Sequence, residues 1–254
     1  MRLALLSDLH ANWQALFACL THAKAQGVEK YAFLGDLVGY GADPVRVLDQ
    51  VMTLHAQGAE VIQGNHDAMA VSPPRGDPSL GASTAVWTHN QLRHEQRSFL
   101  AGLPLTSTVH HVLLAHASAD KPAAWHYVDG ERAARACLEA AQTNGLGGGS
   151  TMHVMLGHVH HQSLYYQGAG HGLMLFKPTP GVGVPLPRSR GCVATVGAVG
   201  QPRDGDPRAM YAMYDMTAAR LVFHRVSYDH VAAAQAIRQA ALPEYFAHRL
   251  ETGR

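Results

Sequence analysis

The sequence predicts an α/β fold with a parallel sheet in its front half and antiparallel strands further on. Two patterns carry this expectation. Up to residue 63, short apolar runs alternate with stretches whose apolar residues recur every three to four positions. Beyond residue 160 the chain changes to short strand-like runs separated by turns. Strand–helix–strand alternation implies parallel pairing, because the intervening helix carries the chain back to start the next strand in the same direction.

Residues 3–6 form the first buried strand run. Trp13, Leu16, Phe17 and Leu20 then mark a helical stripe that Gly27 ends. Residues 31–34 are the second strand. Asp43-Pro44 reads as a helix cap followed by a first-turn proline, with Val45, Leu48, Met52 and His55 on one face and Gly58 as the stop. Residues 60–63 are the third strand and 72–78 a loop rich in proline, glycine and serine. Helical patterns cover 80–93, 94–100 and 131–143. A strand is expected over 109–114, a glycine-rich linker over 145–150, and a buried strand over 152–156. Strand candidates follow at 164–166, 173–176, 192–196, 210–214 and 221–226, then helices at 230–240 and 243–250. The linker does not divide the chain, because the polar clusters described next lie on both sides of it. One domain spanning 1–254 is expected.

Composition narrows the function classes. Of 254 residues, 47% are apolar and 15% charged, an ordinary globular balance. A net charge of +1 gives no bulk attraction to nucleic acid or a membrane surface. No apolar run is long enough to span a bilayer, and the apolar start stops at Ser7-Asp8, too early for a signal-peptide core. Cys19, Cys137 and Cys192 are too sparse for a disulfide framework and read as small core residues. A cytoplasmic protein is the expectation. The 18 histidines are the unusual number, since imidazole is both a metal ligand and an acid–base group near neutral pH.

Five polar clusters each follow an apolar run: Asp8-x-His10, Gly35-Asp36, Gly64-Asn65-His66-Asp67, His116, and Gly157-His158-Val159-His160. In an open α/β sheet, sites collect beyond the carboxyl ends of the strands, so these clusters can meet in one crevice. Each cluster alone has a plainer reading as a cap, a turn or a packed histidine. The ordered set points to metal. Asp8, Asp36, Asn65, His10, His116, His158 and His160 make seven oxygen and imidazole ligands, too many for one ion that must leave room for substrate. Two divalent ions sharing a carboxylate fit, and the mixed donors suit manganese, iron or zinc.

The series resembles the calcineurin-like metallophosphoesterase superfamily, whose blocks D-x-H, G-D, G-N-H-D/E, H and G-H-x-H occur in that order. Further likeness to a bacterial branch containing phosphodiesterases and diadenosine-polyphosphate hydrolases lies in residues 35–41, residues 199–208 and Leu242-Pro243. The resemblance implies a four-layer αββα sandwich, the front half supplying the mostly parallel sheet and the back half much of the second. It implies that Asp8, His10 and His160 hold one ion, that Asn65, His116 and His158 hold the other, and that Asp36 bridges both. His66 is then the proton donor to the leaving oxygen, with Asp67 fixing its ring. The implied activity is hydrolysis of phosphate mono- or diesters by a hydroxide held between the ions, a small-molecule or nucleotide diester being favoured. A serine/threonine protein phosphatase is the alternative, and an idle scaffold is disfavoured by the intact blocks. Thr195-Val196-Gly197-Ala198 stands where the branch often has Asn-Pro-Gly-Ser, which leaves the substrate contacts open.

Three further residues are substrate candidates. Trp125 and Tyr127 follow His116 at loop distance and can wall a pocket or stack on a ring, or simply pack under the loop. Arg203 can bind phosphate, or pair with Asp204 or Asp206.

Overall fold

The apolar run at the start of the chain becomes β1 (Arg2–Leu6), and its two faces go to two different cores. The computed structural model describes residues 1–76, 79–143, 153–168 and 172–254. After β1 come α1 (Trp13–Ala25), β2 (Lys30–Phe33), α2 (Pro44–Ala56), β3 (Glu60–Val61), α3 (Asn65–Val71), α4 (Leu80–Gln91) and α5 (His94–Gly102). The middle of the chain supplies β4 (Thr106–Val109), β5 (Val112–Ala115), α6 (Glu131–Thr143) and β6 (His153–Leu156). The remainder is β7 (Gln162–Gln167), β8 (Leu173–Phe176), β9 (Gly183–Pro185), β10 (Cys192–Val196), β11 (Ala209–Asp215), β12 (Arg220–Val226), α7 (His230–Gln239) and α8 (Glu244–Thr252).

The strands form two six-stranded mixed sheets, ordered β3-β2-β1-β11-β12-β9 and β4-β5-β6-β10-β7-β8. Successive side chains on a strand point to opposite faces, and this alternation builds the layers. Leu3, Leu5, Ala32 and Leu34 of the first sheet meet Val112, Leu114, Met155 and Ala194 of the second in one apolar cluster between the sheets. Ala4, Leu6 and Phe33 face outward onto Leu16 and Cys19 of α1 and Leu48 of α2. Leu113, Val154 and Val193 face outward onto Ala134, Cys137 and Leu138 of α6. Helix, sheet, sheet, helix is the four-layer sandwich that the resemblance implied.

Several expectations change. The first sheet is not made by the front half alone. β11 inserts antiparallel beside β1, with Leu3 opposite Tyr214, and β12 and β9 extend it. Six of the seven β11 residues are buried, as suits a central strand covered on both faces. The run 109–114 is not one strand. It is the hairpin of β4 and β5, turning at His110-His111 with His110 at φ 54°. Of the stripe expected on α1, Leu16 is buried and Trp13 and Leu20 pack partly buried on the same core, but Phe17 is 58% exposed, and Ala15, Cys19 and Ala23 complete the buried face. Small residues let the helix lie close to the sheet, while Trp13 sits beneath the Arg46 guanidinium at 4.0 Å. Asp43 does precede α2, but its side chain makes no capping bond. The linker expected over 145–150 lies outside the described residues.

Candidate metal centre

All five polar clusters sit past the carboxyl ends of parallel strands: β1, β2 and β3 in one sheet, β5 and β6 in the other. The backbone turns sharply there. Asp8, Asp36, His158 and His160 have φ of 54°, 51°, 65° and 62°, and His10 has 46°. A left-handed non-glycine residue costs about 1–3 kcal/mol, and clusters of them mark functional sites. Backbone hydrogen bonds between the loops hold the turns, including Asp8 N–H to Gly35 O and His10 N–H to Asp36 O, both 3.0 Å. Two glycines permit the close approach. A Cβ at Gly64 would strike the Asp36 amide and carboxylate, and one at Gly157 would strike the Ser7 hydroxyl.

The side chains converge in two buried groups, Asp8 with His10 and His160, and Asp36 with His116 and His158. In the first, His10 Nε2 lies 3.2 Å from His160 Nε2, and Asp8 Oδ1 lies 3.2 Å from His160 Nε2. In the second, His116 Nε2 lies 3.1 Å from His158 Nδ1, 3.2 Å from Asn65 Oδ1 and 3.3 Å from Asp36 Oδ2. Asp36 Oδ2 also lies 3.8 Å from His10 Nε2, so this one oxygen faces an imidazole of each group.

The outer hydrogen bonds fix which atoms face inward. The Nδ1–H of His10, His116 and His160 donates to the carbonyls of Val38 (3.3 Å), Leu34 (2.7 Å) and Gln201 (2.6 Å). A ring that donates through Nδ1 turns an Nε2 lone pair towards the centre, the tautomer in which histidine ligates metal. The carboxylates are similarly divided. Asp8 Oδ2 accepts from the His158 amide at 2.9 Å and Asp36 Oδ1 from the His66 amide at 2.8 Å, which leaves one oxygen of each for the centre. Acceptors thus face acceptors across about the width of a cation, and Asp8 Oδ1 is buried with no hydrogen-bond partner. The donor set fits two divalent ions.

Electrostatics agree. Burial works to raise the Asp8 carboxyl, but His160 overrides it and holds the group well below the ordinary carboxylate range. Asp36 is held down in the same way by His116 and His66. Burial works to lower His116, yet Asp36 overrides it and pushes the imidazole up to about 9. Without an ion, the buried carboxylates draw positive charge onto a ring whose lone pair would otherwise ligate.

His66 lies beside the groups rather than within them. Its ring packs 4.2 Å from the Tyr40 ring and edge-on to His10 at 5.2 Å, its Nδ1 has no hydrogen-bond partner, and burial lowers its pKa. The expected role of Asp67 is not seen, because its carboxylate makes no hydrogen bond to the His66 ring among the described residues. Its Oδ1 accepts the Leu37 and Val38 amides at 2.9 and 3.2 Å, and its Oδ2 reaches back to the Gly64 amide at 2.9 Å. Asp67 therefore ties the second and third loops together, and Tyr40 is the contact that positions the His66 ring. Asp67→Ala leaves three amides without their acceptor. It is expected to cost about 3 kcal/mol or more in denaturant unfolding, and Asp67→Asn, which keeps an acceptor, less than half of that.

Of the three substrate candidates, Tyr127 stacks on His158 at 4.1 Å and Trp125 stands edge-on to His116 at 5.8 Å. Both line an open cleft of about 470 Å³ with Asn65 and Met69. Arg203 lies on the opposite side, its guanidinium 6.0 Å from the Tyr40 ring. It does not pair with its acidic neighbours. Tyr40 and Gln201 were not foreseen as site residues. The Gly39-Tyr40-Gly41 triplet was a visible signal, an aromatic residue between two glycines beside a candidate ligand block, although Tyr40 also stacks on Phe246 at 4.6 Å, whereas Gln201 contributes a backbone carbonyl that any residue has.

Comparison with known proteins places this geometry. The model of the calcineurin-like phosphoesterase family matches residues 1–171. An uncharacterised protein of Methanocaldococcus jannaschii is 29% identical over 258 residues, covering 99% of this chain and 98% of that protein. The crystal structure of a metallophosphoesterase from Sphaerobacter thermophilus is similar at 31% identity with a TM-score of 0.81, covering 100% of both chains. A hypothetical protein from Pyrococcus horikoshii shares the fold at 22% identity and a TM-score of 0.72, with 100% of this chain and 98% of that one covered. With two thirds of its length matched by the family model, and the blocks of that family gathered at one edge of the sandwich, the chain belongs to the calcineurin-like phosphoesterases.

Proposed function

We propose that this protein is a two-metal hydrolase of phosphate esters, with small-molecule or nucleotide diesters as its preferred class. The observation that carries the proposal is the meeting of lone pairs without donors. Asp8, His10 and His160 would hold one ion, Asn65, His116 and His158 the other, and Asp36 would touch both. Manganese, iron or zinc suits these donors. Bound there, the ions supply neutralisation of the phosphoryl oxygens and activation of water. His66 donates a ring proton to the leaving oxygen, with Tyr40 holding the ring towards the centre. Tyr127 and Trp125 offer a stacking wall for a base or aromatic group in an open cleft of about 470 Å³. Residues 1–254 act as one domain on this reading, because β11 completes the sheet that β1 begins. No helix among the described residues is long and apolar enough to cross a membrane, and the three buried free cysteines fit a reducing, cytoplasmic setting.

Purified protein loaded with manganese is expected to carry two ions per chain by elemental analysis. It is expected to hydrolyse bis-p-nitrophenyl phosphate faster than p-nitrophenyl phosphate or a phosphopeptide, and to lose activity to a chelator. Full activity with fewer than one ion per chain would defeat the two-metal reading, and a preference for the phosphopeptide would move the assignment to a protein phosphatase.

A further inference from the structure

The loop from Gly200 to Arg208, strand β12 and helix α8 contribute Arg203, Arg208, Arg225 and Arg249, and these four arginines fall into two kinds. Arg208 pairs with Asp206 at 2.6 Å and Arg225 pairs with Asp204. Arg203 and Arg249 have no carboxylate partner among the described residues. Instead both guanidinium groups donate to one neutral oxygen, Gln201 Oε1, at 3.0 and 3.2 Å, and Arg249 also donates to the Tyr245 hydroxyl and lies 4.6 Å over that ring. The Nε atoms of both are buried without a partner. Two half-buried cations are therefore held side by side, with the acids that would neutralise them already engaged elsewhere.

Neighbouring like charges repel, and partial burial strengthens the repulsion. Burial and Arg203 together push the Arg249 guanidinium below its ordinary range. A protein that only needed these positions filled could use a neutral side chain at lower cost. The pair also lies next to the chemistry. The backbone carbonyl of Gln201 receives the His160 Nδ1–H at 2.6 Å, and the Arg203 guanidinium lies 6.0 Å from the Tyr40 ring, which itself packs on His66. An anion bound by the pair would lie one side-chain layer outside the candidate ions.

We infer that Arg203 and Arg249 form a second anion subsite beside the metal centre, which takes a further phosphate group of the substrate beyond the ester that is cleaved. The substrate class this selects, resting on the phosphoesterase reading, is a phosphate ester or anhydride carrying at least two phosphates. Guanidinium suits the task because its planar fork binds phosphate through paired N–H groups.

The test has a binding arm and a kinetic arm. By calorimetry on metal-free, dialysed protein, inorganic pyrophosphate should bind, and Arg249→Gln and Arg203→Gln should each weaken it at least tenfold. Arg249→Lys, which keeps the charge and guards against loss of fold, should weaken it less. In manganese-loaded enzyme, the ratio of kcat/KM for ADP to that for p-nitrophenyl phosphate should fall at least tenfold in Arg249→Gln and be partly restored in Arg249→Lys. No pyrophosphate binding, binding indifferent to both arginines, or an equal loss for both substrates would overturn the subsite. Arginine-dependent pyrophosphate binding in a protein that hydrolyses neither compound would leave the subsite standing and refute the proposed activity.

Discussion

Asp36→Ala is expected to abolish two-ion binding and to lower kcat/KM by at least about 10³-fold, beyond the loss from removing a single electrostatic contact. The expectation follows from the position of one oxygen. Asp36 Oδ2 lies 3.3 Å from His116 and 3.8 Å from His10, so a single carboxylate faces both groups of ligands. On the two-ion reading proposed above, removing it would take a ligand from each ion and the negative charge that would screen the ions from one another. The other oxygen has a separate duty, accepting the His66 amide at 2.8 Å. Alanine therefore also strands a buried amide, worth about 1–3 kcal/mol. Asp36→Asn separates the two effects, since its amide oxygen can keep the bond to His66 while the charge is gone. The checks are elemental analysis, kcat/KM and a melting curve for both variants. Two ions per chain and normal turnover in either variant would show that Asp36 does not bridge.

The second large effect is expected at His66, with the opposite pattern of metal content. His66→Ala should keep close to two ions per chain, because the ring lies outside both ligand groups. A positioned proton donor contributes about 10²–10⁴-fold, so kcat should fall within that range. The loss should be greatest for esters with basic leaving groups, which need the proton, and smallest for nitrophenyl esters. Tyr40→Phe should have a much smaller effect than Tyr40→Ala, because the contact with His66 is made by the ring. Loss of an ion in His66→Ala, or an equal rate loss for leaving groups of different basicity, would count against His66 as the acid.

The order of the two predictions reflects how differently these residues are held. Asp36 is tied by covalent neighbours and backbone hydrogen bonds into a strained turn, which the fold maintains with or without substrate. The His66 amide donates to Asp36, but its ring is positioned by packing against Tyr40 and His10. A stacking contact tolerates modest change, and removing the ring leaves the ligand scaffold intact.

Much of this centre was legible in the sequence, for a local reason. Each block of candidate ligands is a contiguous run that follows an apolar strand, and strand ends in an α/β sheet face a common edge. Asp8, Asp36, Asn65, His116 and His158 could thus be grouped from their positions relative to five apolar runs. The C-terminal helices were legible too, expected over 230–240 and 243–250 and found as His230–Gln239 and Glu244–Thr252. What failed was equally local in character. The stripe assigned to α1 included Phe17, which is exposed, and missed Ala15, Cys19 and Ala23, whose small side chains complete the face that Leu16 lays on the sheet. The Asp67 assignment rested on adjacency to His66, but a residue at the third helical position points its carboxylate back to the helix start, and there it meets the Gly64 amide.

By itself, then, the sequence determined the fold class, the strand ends that bear chemistry and the types of donor brought to them, because these are written in residues close together along the chain. Only the tertiary structure decided that β11 inserts beside β1, that Tyr40 rather than Asp67 packs on His66, and that Arg249 stands next to Arg203. Those outcomes depend on side chains up to hundreds of positions apart competing for the same space, such as Leu3 against Tyr214 or Arg249 against Gln201. No periodicity or spacing encodes such pairings; they are settled when two sheets and their covering helices find the packing that leaves the fewest buried polar atoms without a partner and the least empty volume.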